Sequence, residues 1–230
     1  NFTALIFNKI LATFSESLIF NIMRQSYKVF INNFFILFAD SDKNNNNQIC
    51  KNYKFINSYK ELISYLVLKN YIITCNLVLY SNNVKSLIKR FKSHFLVLYA
   101  AGGIIVNKQN QLLMIKKNNI WDLPKGKVDL FESYKNAALR EVHEETNAKC
   151  TILNKNSYCT SHIYRDSFNS NQLVLKITYW FCMSLMSTEM LNPQKSEGIT
   201  SVEWVSLDKE VKKNTYASIV DLLKNQIELI

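Results

Sequence analysis

Residues 133–146 contain three carboxylates at helical spacing, and this segment constrains the chain more than any other. Glu141, Glu144 and Glu145 stand at i, i+3 and i+4, so a helix places all three on one face. Like charges at this spacing repel each other, and a helix selected for stability alone avoids them. A divalent cation on that face removes the conflict, because Mg²⁺ takes oxygen ligands and pairs with substrate phosphates. The sequence therefore predicts a helix that carries a metal site.

The same helix has a small apolar face, formed by Ala137, Ala138 and Val142. Small side chains allow a helix to lie close against a sheet. Arg140 stands four residues before Glu144 and can pair with it, which would hold that carboxylate in place and reduce the repulsion. The alternative for Arg140 is an exposed ion pair of little energetic value.

Fixed positions upstream extend this pattern into a longer motif. The residues concerned are Gly126, Glu132, Arg140, Glu141, Val142, Glu144 and Glu145. They match the Nudix box, Gly-x5-Glu-x7-Arg-Glu-U-x-Glu-Glu, where U is aliphatic, at every spacing. The chain thus resembles the Nudix hydrolase family over about residues 97–230. The Gly102-Gly103 strand, the Trp-x-Leu-Pro-Lys-Gly-Lys loop at 121–127 and the Trp204 strand are also similar to that family.

The resemblance implies hydrolysis of a nucleoside diphosphate linked to another group, with Mg²⁺ or Mn²⁺, on an α/β/α sandwich with a mixed sheet. Glu141, Glu144 and Glu145 would supply metal ligands. Glu132 would brace the loop against the helix, and its alternative is a solvated carboxylate favoured by the helix dipole. Gly126 is expected to adopt a backbone conformation that other residues avoid.

One position departs from the box, because Asn147 stands where the family has Gly after the Glu pair. The backbone just past a helix end is often left-handed, and Asn tolerates that conformation best after Gly. We expect a cost of about 1 kcal/mol and no loss of metal ligands.

Two lysines and a further carboxylate complete the candidate site. Lys125 and Lys127 flank the expected cavity and are candidates for phosphate contacts, although each is equally compatible with a solvated lysine. Glu197 lies in a loop seven residues before Trp204. In several Nudix enzymes a Glu from this loop completes the metal site or acts as the general base. Glu203 is the competing candidate, but it falls within an expected strand.

The sequence divides the chain of 230 residues into three parts. Residues 1–22 form a lead-in with Met23 as a candidate start, residues 23–96 a small α+β domain, and residues 97–230 the Nudix-like domain. We therefore expect an α/β protein in which the sandwich follows a small N-terminal domain. That domain carries no catalytic constellation, and its candidate roles are packing, homodimerisation and substrate recognition.

Hydrophobic periodicity predicts the individual elements. In the smaller domain we expect strands at 27–31, 34–38 and 76–80, helices at 59–68 and 84–95, a tight turn at Asn32-Asn33 and a polar loop at 40–48. In the larger domain we expect strands at 96–107, 111–116, 173–185 and 201–205, a loop at 121–126, and helices at 133–146 and 216–227. Interleaved strands and helices favour a sheet that is covered on both faces.

The amino-acid composition limits which binding partners and which cellular compartment are expected. A net charge of +10 suits a nucleotide, RNA or another polyphosphate, although scattered lysines also fit a chain without a specific polyanionic partner. The five cysteines include no Cys-x-x-Cys pair, which disfavours a zinc site or a disulfide framework and favours the reducing cytoplasm. Residues 1–22 lack a long uninterrupted apolar run, so we expect no membrane association.

The predicted reaction is attack of water on a phosphorus of a diphosphate, with Glu141 or Glu197 taking the proton. A dinucleoside polyphosphate is the leading small-molecule substrate. The alternatives are removal of pyrophosphate from RNA 5′ ends and a non-catalytic Nudix module that binds a nucleotide. Tyr158, Tyr164 and Tyr179 are candidates for stacking on a base, although tyrosines in such strands more often belong to the core.

Overall fold

The computed structural model of the chain describes residues 26–40, 53–153, 156–166, 172–186, 190–206 and 214–226. These residues form two compact units. Of the described residues, 26–28, 34–40 and 53–94 belong to the first unit, and 29–33 together with those from 95 to 226 belong to the second. The expected lead-in at 1–22 and nearly all of the polar loop at 40–48 lie outside the described residues. The domain boundaries inferred from the sequence stay predictions.

Twelve strands and four α-helices are found in the described ranges. The strands are β1 (Ser26–Ile31), β2 (Phe34–Asp40), β3 (Tyr53–Ile56), β4 (Asn76–Ser81), β5 (Leu96–Ile105), β6 (Gln111–Lys117), β7 (Ile120–Asp122), β8 (Lys125–Lys127), β9 (Cys150–Ile152), β10 (Tyr158–Asp166), β11 (Gln172–Leu185) and β12 (Ile199–Ser206). The helices are α1 (Tyr59–Leu68), α2 (Val84–Lys92), α3 (Tyr134–Thr146) and α4 (Ala217–Gln226). None of these helices is long and apolar enough to span a bilayer.

Most of the expected elements are confirmed, and two expectations are wrong. The segment 121–126 is not a loop, because β7 pairs with β6 and β8 pairs with the edge of β5. An unpaired sheet edge attracts even short segments in this way. Helix α2 ends at Lys92 rather than at residue 95, since Ser93 caps it and donates its backbone N–H to Lys89. Strands β3, β9 and β10 were not expected, being short or rich in polar residues.

The first unit is a small parallel sheet with two helices. Its strands lie in the order β3-β4-β2. Helix α1 begins at Ser58, whose hydroxyl accepts a hydrogen bond from the backbone of Glu61, and it buries Leu62 and Leu66 completely. Helix α2 packs on β2, where the rings of Phe38 and Phe91 lie 4.9 Å apart. These contacts give the unit its own hydrophobic core.

The second unit contains two sheets. One has the order β1-β10-β11-β5-β8, where β1 contributes through Phe30, and β9 pairs with β11 as well. Its β1–β10 and β11–β5 pairs are parallel, and its other pairs are antiparallel. The other is the antiparallel sheet β12-β6-β7. The mixed hydrogen bonding of the first sheet agrees with the mixed sheet expected from the sequence.

Successive side chains of β5 and β11 point to opposite faces of the sheet, so helices pack on both faces. Ala101 and Ile105 pack with the small face of α3, whereas Ile104 and Trp180 pack with the cluster that includes Leu222 of α4. The predicted α/β/α sandwich is confirmed. The small apolar face of α3 has the expected function of bringing the helix close to the sheet.

Both ends of α3 are capped, the first by a side chain and the second by the backbone N–H of Asn147, which donates to the carbonyl of His143. The hydroxyl of Ser133 accepts a hydrogen bond from the backbone of Asn136 at 3.2 Å. At the other end Asn147 has φ of 60°, which is the left-handed conformation expected for this position. Its side-chain amide donates to the carbonyl of Met190 at 3.0 Å. This hydrogen bond offsets part of the cost of the missing Gly.

The close approach of α3 to the sheet depends on Gly103, and this can be tested. A Cβ at Gly103 would lie 2.7 Å from Cγ2 of Val142 and 2.8 Å from the sulfur of Met183. We expect Gly103→Ala to lower the free energy of unfolding by about 1–3 kcal/mol, the usual cost of overpacking. In a urea-unfolding double-mutant cycle with Val142→Ala, the double variant should lose less than the sum of the single variants. Additive losses would contradict the packing argument.

Candidate active site

Arg140 on α3 forms hydrogen bonds with three glutamates of the Nudix-like motif. Its Nε and Nη2 donate to the two carboxylate oxygens of Glu132 at 2.9 and 2.8 Å, a bidentate pair. Nη1 donates to Glu141 at 2.7 Å and to Glu144 at 3.2 Å, and Nη2 also donates to the carbonyl of Lys127 at 3.0 Å. The sequence predicted only the contact with Glu144. The guanidinium therefore joins the loop before the helix to two of the helix carboxylates.

Glu132 occupies the position that a brace requires. Besides Arg140, it accepts the backbone N–H of Asp129 at 3.2 Å, which ties both ends of a tight turn. Its hydrogen bonds with Arg140 lower the pKa of the Glu132 carboxyl below the ordinary value. The pKa of Arg140 is raised in turn, chiefly by Glu132. Glu132 is consequently ionised at neutral pH and bound at both oxygens.

Gly126 is required for space and not for an unusual backbone conformation, so the sequence-based expectation was wrong. Among the described glycines, Gly198 has a positive φ and Gly126 does not. Gly126 instead lies in β8 opposite Ala101 of β5. A Cβ built on it would overlap the carboxylate of Glu141. The missing side chain thus makes room for a buried carboxylate beside the edge strand.

Two of the helix carboxylates are buried. Glu145 is 2% exposed, and its Oε2 accepts the backbone N–H of Lys125 at 2.7 Å. Burial raises the pKa of Glu145 to about 7, and the nearby charge of Glu197 adds to the effect. Glu141 is 6% exposed, and burial raises its pKa although Arg140 acts in the opposite direction. Both carboxylates lack full compensation of their charge.

The other two candidate carboxylates are more accessible. The side chain of Glu144 is 43% exposed and is held by Arg140. The side chain of Glu197 is 46% exposed, in a 3₁₀ turn at Lys195–Glu197, and forms a 3.6 Å ion pair with Lys117. Glu197 contributes to raising the pKa of both Glu141 and Glu145, which places its charge beside theirs. Glu203 is exposed on β12.

A cavity of about 650 Å³ in the second unit brings several of these residues together. Its charged lining includes Lys117, Asp122, Lys125, Lys127, Glu141, Glu145, Lys176 and Glu197. Lys125 is tied into this lining by a 2.6 Å ion pair with Asp122. Glu144 and Glu203, in contrast, are not among the residues that line the cavity in the described part of the chain. The cavity has acidic and basic groups side by side.

Sequence reasoning missed Lys176 and His162, which face the same cavity. They stand opposite each other on β11 and β10. Burial, followed by the charge of Lys125, lowers the pKa of Lys176 to about 8. Burial also lowers the pKa of His162 to about 4, with Lys176 contributing. One signal was available, because Lys176 interrupts an otherwise apolar strand, and a charge at such a position needs an explanation.

The three candidate stacking tyrosines have different surroundings. Tyr164 lines the cavity. Tyr158 packs against the core cluster on the α4 side, and Tyr179 lies on the opposite face, with its ring 4.2 Å from that of Tyr134. Trp180 also lines the cavity and donates its indole N–H to Thr160 at 2.8 Å. Tyr164 is therefore the one of the three that is placed to meet a ligand.

The donor set of the cavity fits a hard divalent cation. In the described part of the chain, no three His, Cys, Asp or Glu side chains form a ready-made ligand group. Arg140 and the backbone of Lys125 engage the oxygens of Glu141 and Glu145 instead. Glu141, Glu145 and Glu197 nevertheless line the same cavity, and the charge of Glu197 contributes to the raised pKa values of the other two. A cation among them would reverse both the burial penalty and the mutual repulsion.

Comparisons with known proteins agree with the motif. The NUDIX domain model matches residues 97–225. A protein of Bacillus subtilis (strain 168), provisionally named an 8-oxo-dGTP diphosphatase, is 43% identical over 53 residues, which are 21% of this chain and 36% of that protein. An RNA pyrophosphohydrolase of Pelagibacter ubique (strain HTCC1062) is 31% identical over 120 residues, 47% of this chain and 75% of that protein.

Solved structures include similar chains as well. The crystal structure of an Ap4A hydrolase binary complex from C. elegans is 21% identical, with a TM-score of 0.44, and the match covers 57% of this chain and 95% of that one. The domain match spans more than half of the chain and includes every box residue named above. The chain belongs to the NUDIX domain family, whose named relatives here are a diphosphatase and a pyrophosphohydrolase.

Proposed function

We propose that this protein is a metal-dependent hydrolase that cleaves a diphosphate linkage in a nucleoside diphosphate derivative. The observation that carries the proposal is the cavity itself. Glu141, Glu145 and Glu197 line this cavity, and Lys125 and Lys176 supply positive charge in the same lining. Carboxylates suit the cation, and lysines suit phosphate oxygens that the cation does not neutralise.

Four carboxylates are the proposed metal ligands: Glu141, Glu144, Glu145 and Glu197. Nudix hydrolases generally depend on a divalent metal, and Mg²⁺ or Mn²⁺ is the proposed ion here. When bound, such an ion neutralises phosphate charge and lowers the pKa of water. The side chains of Glu144 and Glu197 are accessible from solvent, whereas Glu141 and Glu145 are buried.

The protein residues have separate tasks in this reaction. Glu141 or Glu197 takes the proton from the attacking water, since both carboxylates reach the cavity. Arg140 holds Glu141 and Glu144 in place through Nη1. Lys125 and Lys127 bind phosphate oxygens from the β8 edge. Cleavage of the phosphorus–oxygen bond gives two phosphate-bearing products, with water supplying the new oxygen.

The proposed substrate carries a chain of phosphates. The side-chain ammonium of Lys176 makes no hydrogen bond or ion pair with the described residues, and Lys176 lines the cavity from β11, the strand next to β5. A half-buried ammonium of this kind is stabilised by an anionic ligand. A dinucleoside polyphosphate is the leading candidate. An RNA 5′ end is the second candidate substrate. The relative from Pelagibacter ubique, which is matched over 75% of its length, is named an RNA pyrophosphohydrolase.

A non-catalytic nucleotide-binding module is disfavoured. Such a module has no need of buried carboxylates with raised pKa values, and this chain retains Glu141 and Glu145 in that state.

A cytoplasmic location fits the described cysteines, Cys75, Cys150, Cys159 and Cys182, none of which forms a disulfide. Homodimerisation through residues 23–96 stays a prediction.

The buried carboxylates should be required for activity and not for stability. We expect Glu141→Gln and Glu145→Gln each to lower Mg²⁺-dependent kcat/KM by on the order of 10²-fold or more. Neither change should lower the free energy of unfolding of the metal-free protein by much, because burial already penalises the charged form. Enzyme assays and urea unfolding measure the two effects. Exposed Glu203→Gln is the matched control, and full activity in both buried variants would contradict the proposal.

The hydrogen bonds between Glu132 and Arg140 should make the free energy of unfolding depend on pH. The pKa of Glu132 is lowered in the folded state from an ordinary value of 4.5. Its contribution is therefore complete above that value and is lost as the pH falls through the lower folded-state pKa. We expect Glu132→Gln to be destabilised relative to wild type by about 1–3 kcal/mol at pH 7, and by less near pH 3. Urea unfolding at both pH values tests this, and a pH-independent difference would contradict it.

Lys176 should distinguish long from short phosphate chains. We expect Lys176→Met to raise KM for diadenosine tetraphosphate or 5′-triphosphorylated RNA by about 10-fold, equivalent to one charge-assisted hydrogen bond. KM for ADP-ribose should change less. Steady-state kinetics over both classes are compared with Lys224→Met, an exposed lysine of α4 outside the cavity lining. An equal rise for all substrates would contradict a subsite for additional phosphates.

A further inference from the structure

The strand order of the larger sheet arranges the cavity residues across it. That order is β1-β10-β11-β5-β8, and residues of β8, β11, β10 and β1 line the cavity. Glu145 lies beside β8, because its carboxylate accepts the backbone N–H of Lys125. Neighbouring strands are about 4.8 Å apart, so β10 lies about 14 Å from β8, three strands away. The cavity therefore extends from the carboxylates beside β8 to β10 and β1.

The charge of the lining changes across these strands. Lys125 and Lys127 line the cavity from β8, and Lys176 lines it from β11. The described lining residues that come from β1, from the turn after it and from β10 are Phe30, Asn32, Thr160, His162, Ile163 and Tyr164. Burial lowers the pKa of His162 to about 4, so none of these six side chains is charged at neutral pH. The cations that suit a chain of phosphates thus end at β11.

Three rings lie together in the uncharged part of the lining. Phe30 and His162 are paired in register between β1 and β10, so their side chains lie on the same face of the sheet. His162 and Tyr164 are two residues apart on β10, and their ring centres are 5.6 Å apart. Tyr164 is 37% exposed, whereas Phe30 is buried. The ring of Tyr164 is therefore the accessible surface of this group, which we call the ring patch (Phe30, His162 and Tyr164).

Hydrogen-bonding groups border the ring patch. A neutral imidazole has one donor and one acceptor, and the amide of Asn32 has both kinds of group. Within the described ranges, neither side chain makes a hydrogen bond or an ion pair. Asn32 has φ of 54° in the turn after β1, and its side chain lines the cavity. The ring patch is thus bordered by donors and acceptors that a ligand can use.

The chemistry of this part of the cavity distinguishes between groups that can be joined to a diphosphate. A phosphorylated polyol carries further anionic groups and needs cations beyond β11, where the described lining has none. A sugar uses the amide and the imidazole but offers no planar face to Tyr164. A nucleobase uses both features, since it stacks through its face and forms hydrogen bonds through its edge. The ring patch therefore favours a nucleobase.

We propose that the ring patch, together with the amide of Asn32, binds the nucleobase of the substrate. The inference rests on the proposed function for the phosphate chain, which lies between β8 and Lys176. The base stacks on Tyr164, and its edge forms hydrogen bonds with His162 and Asn32. Phe30 and Asn32 precede the residues 97–225 that match the NUDIX domain. A segment outside the matched domain thus contributes to substrate choice.

The first test compares ligands with and without a base on the full chain. Nucleoside 5′-monophosphates and ribose 5-phosphate carry no diphosphate, so calorimetry with Mg²⁺ present measures binding apart from hydrolysis. We expect wild type to bind its preferred monophosphate about 10- to 100-fold more tightly than ribose 5-phosphate, on the scale of one stacked base with its hydrogen bonds. Equal affinity for the two kinds of ligand, including binding of neither, would overturn the proposal.

Tyr164 supplies the variant for stacking, and Tyr99 supplies its matched control. Tyr164→Leu should weaken nucleotide binding about 10-fold and leave ribose 5-phosphate binding unchanged, whereas Tyr164→Phe keeps the ring and the affinity. Tyr99 is 41% exposed on β5 and is not among the described residues that line the cavity. Tyr99→Leu should bind as wild type does, and equal weakening by both leucine variants would overturn the proposal. Circular dichroism confirms that each variant is folded.

The hydrogen-bonding groups are tested by the preference among bases. Asn32→Gly removes the amide and keeps the left-handed backbone, and His162→Phe keeps a ring without its nitrogens. We expect each variant to reduce the ratio of affinities between the best and the worst base about 5-fold or more, on the scale of one hydrogen bond. An unchanged ratio in both variants would overturn the assignment of the base edge to these residues.

Hydrolysis assays separate this inference from the proposed function. Loss of base preference in the Tyr164→Leu variant, with cleavage of diphosphate substrates by wild type, supports both. A wild type that prefers nucleotides over ribose 5-phosphate but cleaves no diphosphate substrate supports the base site and contradicts the hydrolase. Cleavage of diphosphates by a wild type without base preference overturns the base site alone.

Discussion

The guanidinium of Arg140 is the interaction on which the site depends. It binds both oxygens of Glu132, one oxygen each of Glu141 and Glu144, and the carbonyl of Lys127. One planar group thereby joins the β8 edge, the turn before α3 and the helix face. A lysine has a single charged centre and does not reproduce this fork. Two of the three carboxylates that repel one another on α3, Glu141 and Glu144, are held together by this group.

Space is the second constraint, and glycine provides it at two places. Gly103 allows α3 to lie against β5, because a Cβ there would press on Val142. Gly126 allows the carboxylate of Glu141 to occupy the side of β8. Close packing of the helix then buries Glu145, and burial raises its pKa to about 7. The chemistry of the carboxylates is therefore a consequence of how tightly the helix packs.

Two helices of this protein show the same kind of electrostatic conflict with opposite sign. On α3 the carboxylates are partly relieved by Arg140, and the proposed cation relieves the remainder. On α2, Lys85 and Lys89 form no ion pair within the described residues, and the ammonium of Lys92 lies 5.3 Å from the ring centre of Tyr27. A helix that presents one sign of charge on one face is best explained by a ligand of the other sign. For α3, that ligand is the proposed divalent cation.

The sequence by itself determined the family, the α3 helix and the box carboxylates, because fixed spacings on a helix dictate which side chains share a face. It also determined the left-handed Asn147, since this follows from local backbone preference. Only the tertiary structure decided that Gly126 provides space, that β7 and β8 are strands, and that Lys176 faces the cavity. These features depend on contacts between residues far apart in the chain, which local patterns do not encode.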